Sequence, residues 1–243
     1  MAKRFTNCKC IYCLKKFDRL TSDHVFPKSW YPETTPQNIE KWQAPACKRC
    51  NRKYGKIEEE LLLKFGLCVN PCRHESSGIA QKALRALTAN HGKNERDKII
   101  RQRKKEKILR EAIVPTSVPL SSIFPNFGFH YGIEPKDQLA ILVPEKGLKA
   151  IGEKFVRGIT WVLDGQYIER KYKIDIYFFH EHADNPFVKF ICKYGRLYSL
   201  EPGIRIIRAM TKEEKICGIY SMEIWSQLKM YGTVTLKNNR KLA

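Results

Sequence analysis

The chain has 243 residues, 43% hydrophobic and 29% charged, a balance typical of a folded protein with a core of its own. Its 45 Lys and Arg side chains outnumber 25 Asp and Glu side chains, and the formal net charge of +20 favours a polyanionic partner such as nucleic acid. No apolar run approaches the roughly 20 residues of a membrane-spanning helix, and the first residues lack a signal peptide's apolar stretch, so we expect a cytoplasmic protein with reduced cysteines and no membrane partner.

The predicted fold class is α+β, with three segments along the chain. The first, residues 1–66, is rich in Cys, Pro and Trp, and a helix is predicted over 52–65, which Gly66 would end in a left-handed conformation. The second, residues 67–128, is a basic helical segment over 78–112, weakened at NHGKN and followed by a Pro/Ser-rich linker.

The third segment, residues 129–243, is predicted to be a mainly antiparallel sheet with one main helix. Apolar residues recur at helical spacing over 148–163, and residues 172–180 alternate as a strand does. Further short strands are predicted at FVKFICKYG, GRLYSL, IRIIRAM, GIYSMEIW and YGTVTL. Three roles stay open for this segment: target recognition, binding of a partner protein, or formation of a homodimer.

Two Cys-x-x-Cys pairs, Cys10 with Cys13 and Cys47 with Cys50, are separated by 33 residues. Each pair is a tight turn that aims two sulfurs at one point, and four thiolates can close a tetrahedron around Zn²⁺. We therefore predict a structural zinc site, with room for a functional element between the pairs. Cys8 offers another sulfur but fits this spacing less well.

Two other groups of potential ligands have a simpler interpretation. Cys68, Cys72 and His74 are irregularly spaced, and His180 and His182 share a strand face without a further ligand. We predict ordinary thiols and polar side chains at both places.

The sequence DHVFPKSW lies between the two cysteine pairs, and Asn51 directly follows the second pair. The oxygens of Asp23 and Asn51 suit a hard divalent ion such as Mg²⁺, and the imidazole of His24 can deprotonate a water at neutral pH. Taken singly, Asp23 is better explained as a turn former, Asn51 as a helix cap and His24 as a structural histidine. Their joint placement beside the cysteine pairs favours metal-assisted phosphodiester cleavage.

Cys-x-x-Cys, then Asp-His, then Cys-x-x-Cys-Asn leading into a helix resembles the HNH nucleases with a ββα-metal fold, over residues 8–66. The resemblance implies a zinc-stabilised module with two strands around 11–26 and the predicted helix. It also implies that His24 is the general base and that Asp23 and Asn51 bind a catalytic Mg²⁺ or Mn²⁺ ion. The four cysteines match the family's structural zinc site.

One position departs from the family pattern. Many members have an Asn five residues before the second cysteine pair, where it pins the loop by backbone hydrogen bonds. Trp42 stands there in this chain, and Asn38 is the nearby alternative. Trp42 and Trp30 are predicted to pack the small core.

Residues 1–113 carry a net charge of +14 and residues 114–243 only +6, so nucleic acid is expected on the first half. Two basic groups are candidates for phosphate contacts. One surrounds the proposed site: Lys48, Arg49, Arg52, Lys53 and Lys56. The other lies in 93–111 and includes Arg101, Lys104 and Lys105, although ion pairs within a solvated helix explain that segment equally well.

The predicted function is a metal-dependent HNH endonuclease that cuts DNA, leaving a 5′-phosphate and a 3′-hydroxyl as the resemblance implies. By analogy alone, the setting is bacterial or phage defence or mobile-element biology. Two alternatives stay open: a zinc-knuckle module that binds nucleic acid without cutting it, and a nuclease directed at RNA.

Overall fold

The computed structural model describes residues 4–113, 140–179, 185–200 and 202–237. Within these ranges helices are combined with antiparallel sheets, which confirms the predicted α+β class. The linker predicted near 114–128 lies outside the described residues, as do His180 and His182.

Three short antiparallel strands form the N-terminal sheet, in the order β1 (Phe5–Lys9), β2 (Lys16–His24) and β3 (Gln43–Ala46). Of the two strands implied around 11–26, β2 lies within that range. Its partner β1 ends before it, because residues 10–13 form the turn between the two strands. β3 returns beside the end of β2 and pairs Gln43 with His24.

Helix α1 (Lys48–Gly66) begins directly after Cys47 and packs against α2 (Ile79–Leu87). The predicted left-handed end at Gly66 is wrong, since Gly66 is helical and the following Leu67 has φ −76°. The glycine is needed for another reason. A Cβ at Gly66 would lie 2.7 Å from the Cβ of Ala83, so its absence lets the two helices approach closely.

The middle segment contains two helices rather than one, as the weak point at NHGKN predicts. A single 3-10 turn, Ala89–His91, separates α2 from α3 (Glu95–Glu111). Asn94 starts α3, because its side chain accepts a 2.9 Å hydrogen bond from the backbone N–H of Asp97. Two short strands follow and pair with each other, β4 (Ala112–Ile113) and β5 (Ala140–Ile141).

The C-terminal sheet has five antiparallel strands in the order β6-β10-β9-β8-β7. Its strands are β6 (Tyr172–Tyr177), β7 (Arg196–Leu200), β8 (Ile204–Met210), β9 (Gly218–Ile224) and β10 (Leu228–Leu236). The main helix predicted over 148–163 is α4 (Glu145–Asp164). This confirms the predicted sheet with one main helix.

The strand predicted at FVKFICKYG is wrong, since this stretch is helix α5 (Pro186–Tyr194). Its apolar residues recur at helical spacing: Phe187, Phe190, Ile191 and Tyr194. The helix start is also encoded locally. Asn185 accepts a hydrogen bond from the backbone N–H of Phe187, and Pro186 occupies the first turn, where its missing N–H costs nothing.

One hydrophobic core joins the N-terminal sheet to the C-terminal sheet, with α4 between them. The ring centroids of Phe155 in α4 and Phe26 are 4.6 Å apart. A Cβ atom at Gly158 would lie 2.6 Å from the Cγ1 atom of Val25. The predicted segment boundaries stay a prediction, but the core crosses them. None of the helices that the structure describes is both long and apolar enough to cross a membrane.

Candidate active site

The four predicted zinc ligands come together between the β1–β2 turn and the start of α1. The Sγ atoms of Cys10, Cys13, Cys47 and Cys50 lie within 4.8 Å of one another. Each pair is held in a tight turn by backbone bonds: Leu14 N–H donates to the carbonyl of Cys10 at 2.9 Å, and Asn51 N–H donates to that of Cys47 at 3.0 Å.

This cluster fits a tetrahedral Zn²⁺ ion in ligand number and chemistry. Burial raises the pKa of the Cys50 thiol, and the neighbouring cysteines raise it further. A divalent cation at the centre would reverse this effect by favouring the thiolates. The structure therefore supports the predicted structural zinc site, whereas Cys68 and Cys72 join no such cluster among the described residues.

Asp23 lies in β2 one residue before its end and is only 7% exposed. Its Oδ2 atom accepts a 2.5 Å hydrogen bond from the hydroxyl of Tyr12. Burial raises the pKa of Tyr12, and the charge of Asp23 raises it further, so the phenol keeps its proton and donates. The same Oδ2 lies 3.3 Å from the Nζ atom of Lys154.

Lys154 reaches this site from α4 and is completely buried. Its Nζ atom donates to the backbone carbonyl of His24 at 2.6 Å and pairs with the carboxylate of Glu58 in α1. The sequence patterns do not point to Lys154 as a site residue. The one available signal is a lysine three residues after Ile151, on the apolar face of the predicted helix.

His24 is the last residue of β2 and is partly buried. Its Nε2 atom is buried and makes no hydrogen bond within the residues that the structure describes. Burial lowers the pKa of His24, and the nearby charge of Lys28 lowers it further. The imidazole is therefore neutral at neutral pH, with an acceptor nitrogen available for a proton.

Asn51 stands in the first turn of α1 and faces β2. Its Nδ2 atom lies 3.2 Å from the Oγ1 atom of Thr21. Thr21 and Asp23 are two residues apart on one strand and so share a face, which places Asn51 and Asp23 on the same side of β2. Because the amide nitrogen is engaged by Thr21, the Asn51 oxygen is the atom left for a metal.

Asn38 is the nearby alternative for pinning the loop between His24 and β3, but other contacts hold that loop. Asn38 is exposed, and its side chain makes no hydrogen bond among the described residues. The backbone N–H of Val25 donates to the carbonyl of Trp42 at 2.9 Å and closes the loop. Trp42 packs against Phe26, with 6.4 Å between ring centroids, and Trp30 is fully buried, as predicted for both tryptophans.

The basic residues near α1 are all exposed: Lys48, Arg49, Arg52, Lys53 and Lys56. Those predicted on α3 differ from one another. Arg101 pairs with Asp97 of the same helix at 3.1 Å, and Lys104 pairs with Glu59 of α1. Lys105 is exposed, and no ion pair involves it in the described part of the chain.

The segment that carries this site matches a known family. Residues 10–65 match the family model described as HNH endonuclease. The matched range contains both cysteine pairs, Asp23, His24 and Asn51, and it confirms the resemblance drawn from these motifs. No curated protein and no solved structure matches the chain.

Proposed function

Since residues 10–65 match the HNH endonuclease family, we propose that this protein is a metal-dependent endonuclease that hydrolyses phosphodiester bonds in DNA. One observation carries the proposal. His24 has a neutral imidazole and stands at the end of β2, directly after Asp23, whose buried carboxylate accepts a hydrogen bond from Tyr12.

His24 is the proposed general base. Burial lowers the pKa of His24, so its imidazole is neutral at neutral pH and can accept the proton of an attacking water.

Asp23 and Asn51 are the proposed ligands of a divalent ion, Mg²⁺ or Mn²⁺. Both residues lie on the same side of β2, and carboxylate and amide oxygens suit such hard ions. When bound, the ion would stabilise the charge on the phosphate and the leaving oxygen. Asp23 accepts its hydrogen bonds at Oδ2, which leaves Oδ1 for the ion.

The exposed cations at the start of α1 support nucleic acid as the substrate. Lys48, Arg49 and Arg52 lie beside Asn51, where the helix N-terminus also attracts anions. A phosphate that approaches the proposed metal ligands would therefore meet positive charge on its way. DNA is the proposed substrate, with a 5′-phosphate and a 3′-hydroxyl as products by the family resemblance.

The test is cleavage of supercoiled plasmid by wild type and His24→Ala, with Mg²⁺, Mn²⁺ or EDTA, and a structured RNA in parallel. We expect metal-dependent nicking by wild type and a loss of about 10²–10⁴-fold in the variant, the usual contribution of a general base. His91→Ala, at an exposed histidine, is the matched control and should cut like wild type.

Three outcomes would count against parts of this proposal. Equal cutting by wild type and His24→Ala would remove the role of His24. A gel shift of DNA without cutting would favour a binding module. Preferential cutting of the RNA would reassign the substrate. Zinc content and the unfolding temperature of each variant establish that a loss of cutting is not a loss of folding.

A further inference from the structure

The amino group of Lys154 connects the C-terminal half of the chain to the candidate active site. This lysine lies in α4, 130 residues after His24, and its side chain is completely buried. Burying an ammonium group costs folding free energy unless oxygen atoms surround it.

Three oxygen acceptors surround the Lys154 Nζ atom, as many as its protons. They are the carboxylate of Glu58, the backbone carbonyl of His24 at 2.6 Å and the Oδ2 atom of Asp23 at 3.3 Å. Two carboxylates face one ammonium group, so a net negative charge remains at the place where a divalent ion is proposed to bind.

These contacts fix the positions of both Asp23 and His24, the two proposed functional residues at the end of β2. Tyr12 and Lys154 both approach Asp23 at Oδ2, which orients its other oxygen, Oδ1, away from them. The bond to the His24 carbonyl holds the backbone of the proposed base in the same arrangement. Glu58 in turn holds the lysine and ties it to α1, the helix that carries Asn51.

We propose that Lys154, together with Glu58, is a positioning residue of the nuclease centre, so that helix α4 completes a site formed otherwise by residues 10–65. This inference rests on the proposed function. The C-terminal segment thus contributes more than a surface for DNA or a partner, because its helix orients a metal ligand and the general base.

The charge-balanced double variant Lys154→Met/Glu58→Gln tests this role. Removing one positive and one negative group leaves the net charge of the site unchanged. Because both partners of the ion pair are replaced together, neither the ammonium group nor the Glu58 carboxylate is left buried without the other. The matched control is Arg208→Met/Asp164→Asn, which removes another ion pair of α4, with 3.0 Å between Arg208 Nη1 and Asp164 Oδ1. Within the described part of the chain, that pair makes no contact with Asp23 or His24.

The measurements are calorimetric titration of the zinc-loaded proteins with Mn²⁺, plasmid nicking, and thermal unfolding. We expect the Lys154/Glu58 variant to bind Mn²⁺ about 10-fold more weakly and to nick about 10–100-fold more slowly, the usual effect of losing a group that orients metal ligands. The Arg208/Asp164 variant should bind Mn²⁺ and nick as wild type does, even where its unfolding temperature falls equally.

Each other outcome would overturn the inference in a distinguishable way. If wild type nicks and the Lys154/Glu58 variant matches it in Mn²⁺ affinity and rate, Lys154 has only a structural role and the proposed function stands. Equal losses in both double variants would also assign a structural role. If wild type neither binds Mn²⁺ nor nicks, the proposed function fails and the role of Lys154 fails with it.

Discussion

The indole N–H of Trp225 donates a 2.6 Å hydrogen bond to the backbone carbonyl of Trp30. Both tryptophans are fully buried, and their ring centroids are 5.3 Å apart. Trp30 lies six residues after His24, whereas Trp225 directly follows strand β9. The loop next to the candidate active site is thus anchored on the C-terminal sheet.

Replacing Trp225 by Phe should destabilise the whole chain. The variant loses indole packing and leaves the Trp30 carbonyl without its buried donor, which typically costs about 1–3 kcal/mol. Urea unfolding followed by far-UV circular dichroism measures the loss. Trp161→Phe, at a partly buried tryptophan outside this contact, should cost less. Equal losses would mean that the bond to Trp30 adds nothing.

Cys50→Ser should remove the zinc ion and lower stability by several kcal/mol, because a structural zinc site contributes its binding free energy to folding. We expect one zinc per chain in wild type and substantially less in the variant, measured by elemental analysis together with the unfolding temperature. Cys72→Ser is the control, since Cys72 is exposed and outside the cluster. Full zinc content in Cys50→Ser would contradict the four-cysteine site.

Tyr12→Phe should impair cleavage more than folding. The change removes only the hydroxyl that bonds to Asp23 at 2.5 Å, so we expect about a 10-fold slower reaction, in line with other groups that orient metal ligands. Plasmid nicking rates and unfolding temperature are measured together.

Tyr31→Phe is the matched control for Tyr12→Phe. The Tyr31 hydroxyl is buried and has no hydrogen-bond partner in the described residues, so its removal should leave stability unchanged or slightly higher. A nicking rate of Tyr12→Phe equal to that of Tyr31→Phe would contradict the role given to Tyr12.

Stability should fall in acid through Glu111. The hydrogen bond from the buried Lys64 ammonium, 2.8 Å away, lowers the pKa of Glu111 below its ordinary value of 4.5. A lowered folded-state pKa means that the stabilisation is complete above the unfolded value and is lost as the pH falls through the folded value. The pair joins α3 to α1.

Urea unfolding at pH values from about 7 to about 3, a range that includes the titration of Glu side chains, would measure this effect. Glu111→Gln should be less stable than wild type at neutral pH, and the difference should shrink in acid. Glu106→Gln, at an exposed residue of the same helix, is the control. A constant difference across the range would show that protonation of Glu111 is not involved.

Sequence patterns predict those features that depend only on residues close together in the chain. The two cysteine pairs, the Asp-His pair and Asn51 lie within one short range, and their spacing alone indicated the zinc cluster and the family. The interruption before α3 was also encoded locally, by the residues around Asn94. For FVKFICKYG the predicted strand is wrong although the helical spacing and the Asn185 cap are local too, because a short apolar run suits either structure.

The role of Gly66 depends on a residue outside its own helix. A glycine near a helix end suggests a left-handed stop, but here it permits the contact with Ala83 of another helix. The fit between two helices depends on both partners, and no pattern within α1 contains the second.

Residue type and short spacing are enough to predict the four-cysteine cluster, the Asp-His pair and the family match of residues 10–65. The contact of Lys154 with Asp23 and the carbonyl of His24 is evident only in the folded chain. That contact requires α4 to pack between two sheets, and the burial of Phe26 and Phe155 drives this packing without specifying it in any local pattern. The residues of the candidate active site therefore lie in the first quarter of the chain, and the buried lysine that contacts them lies in its second half.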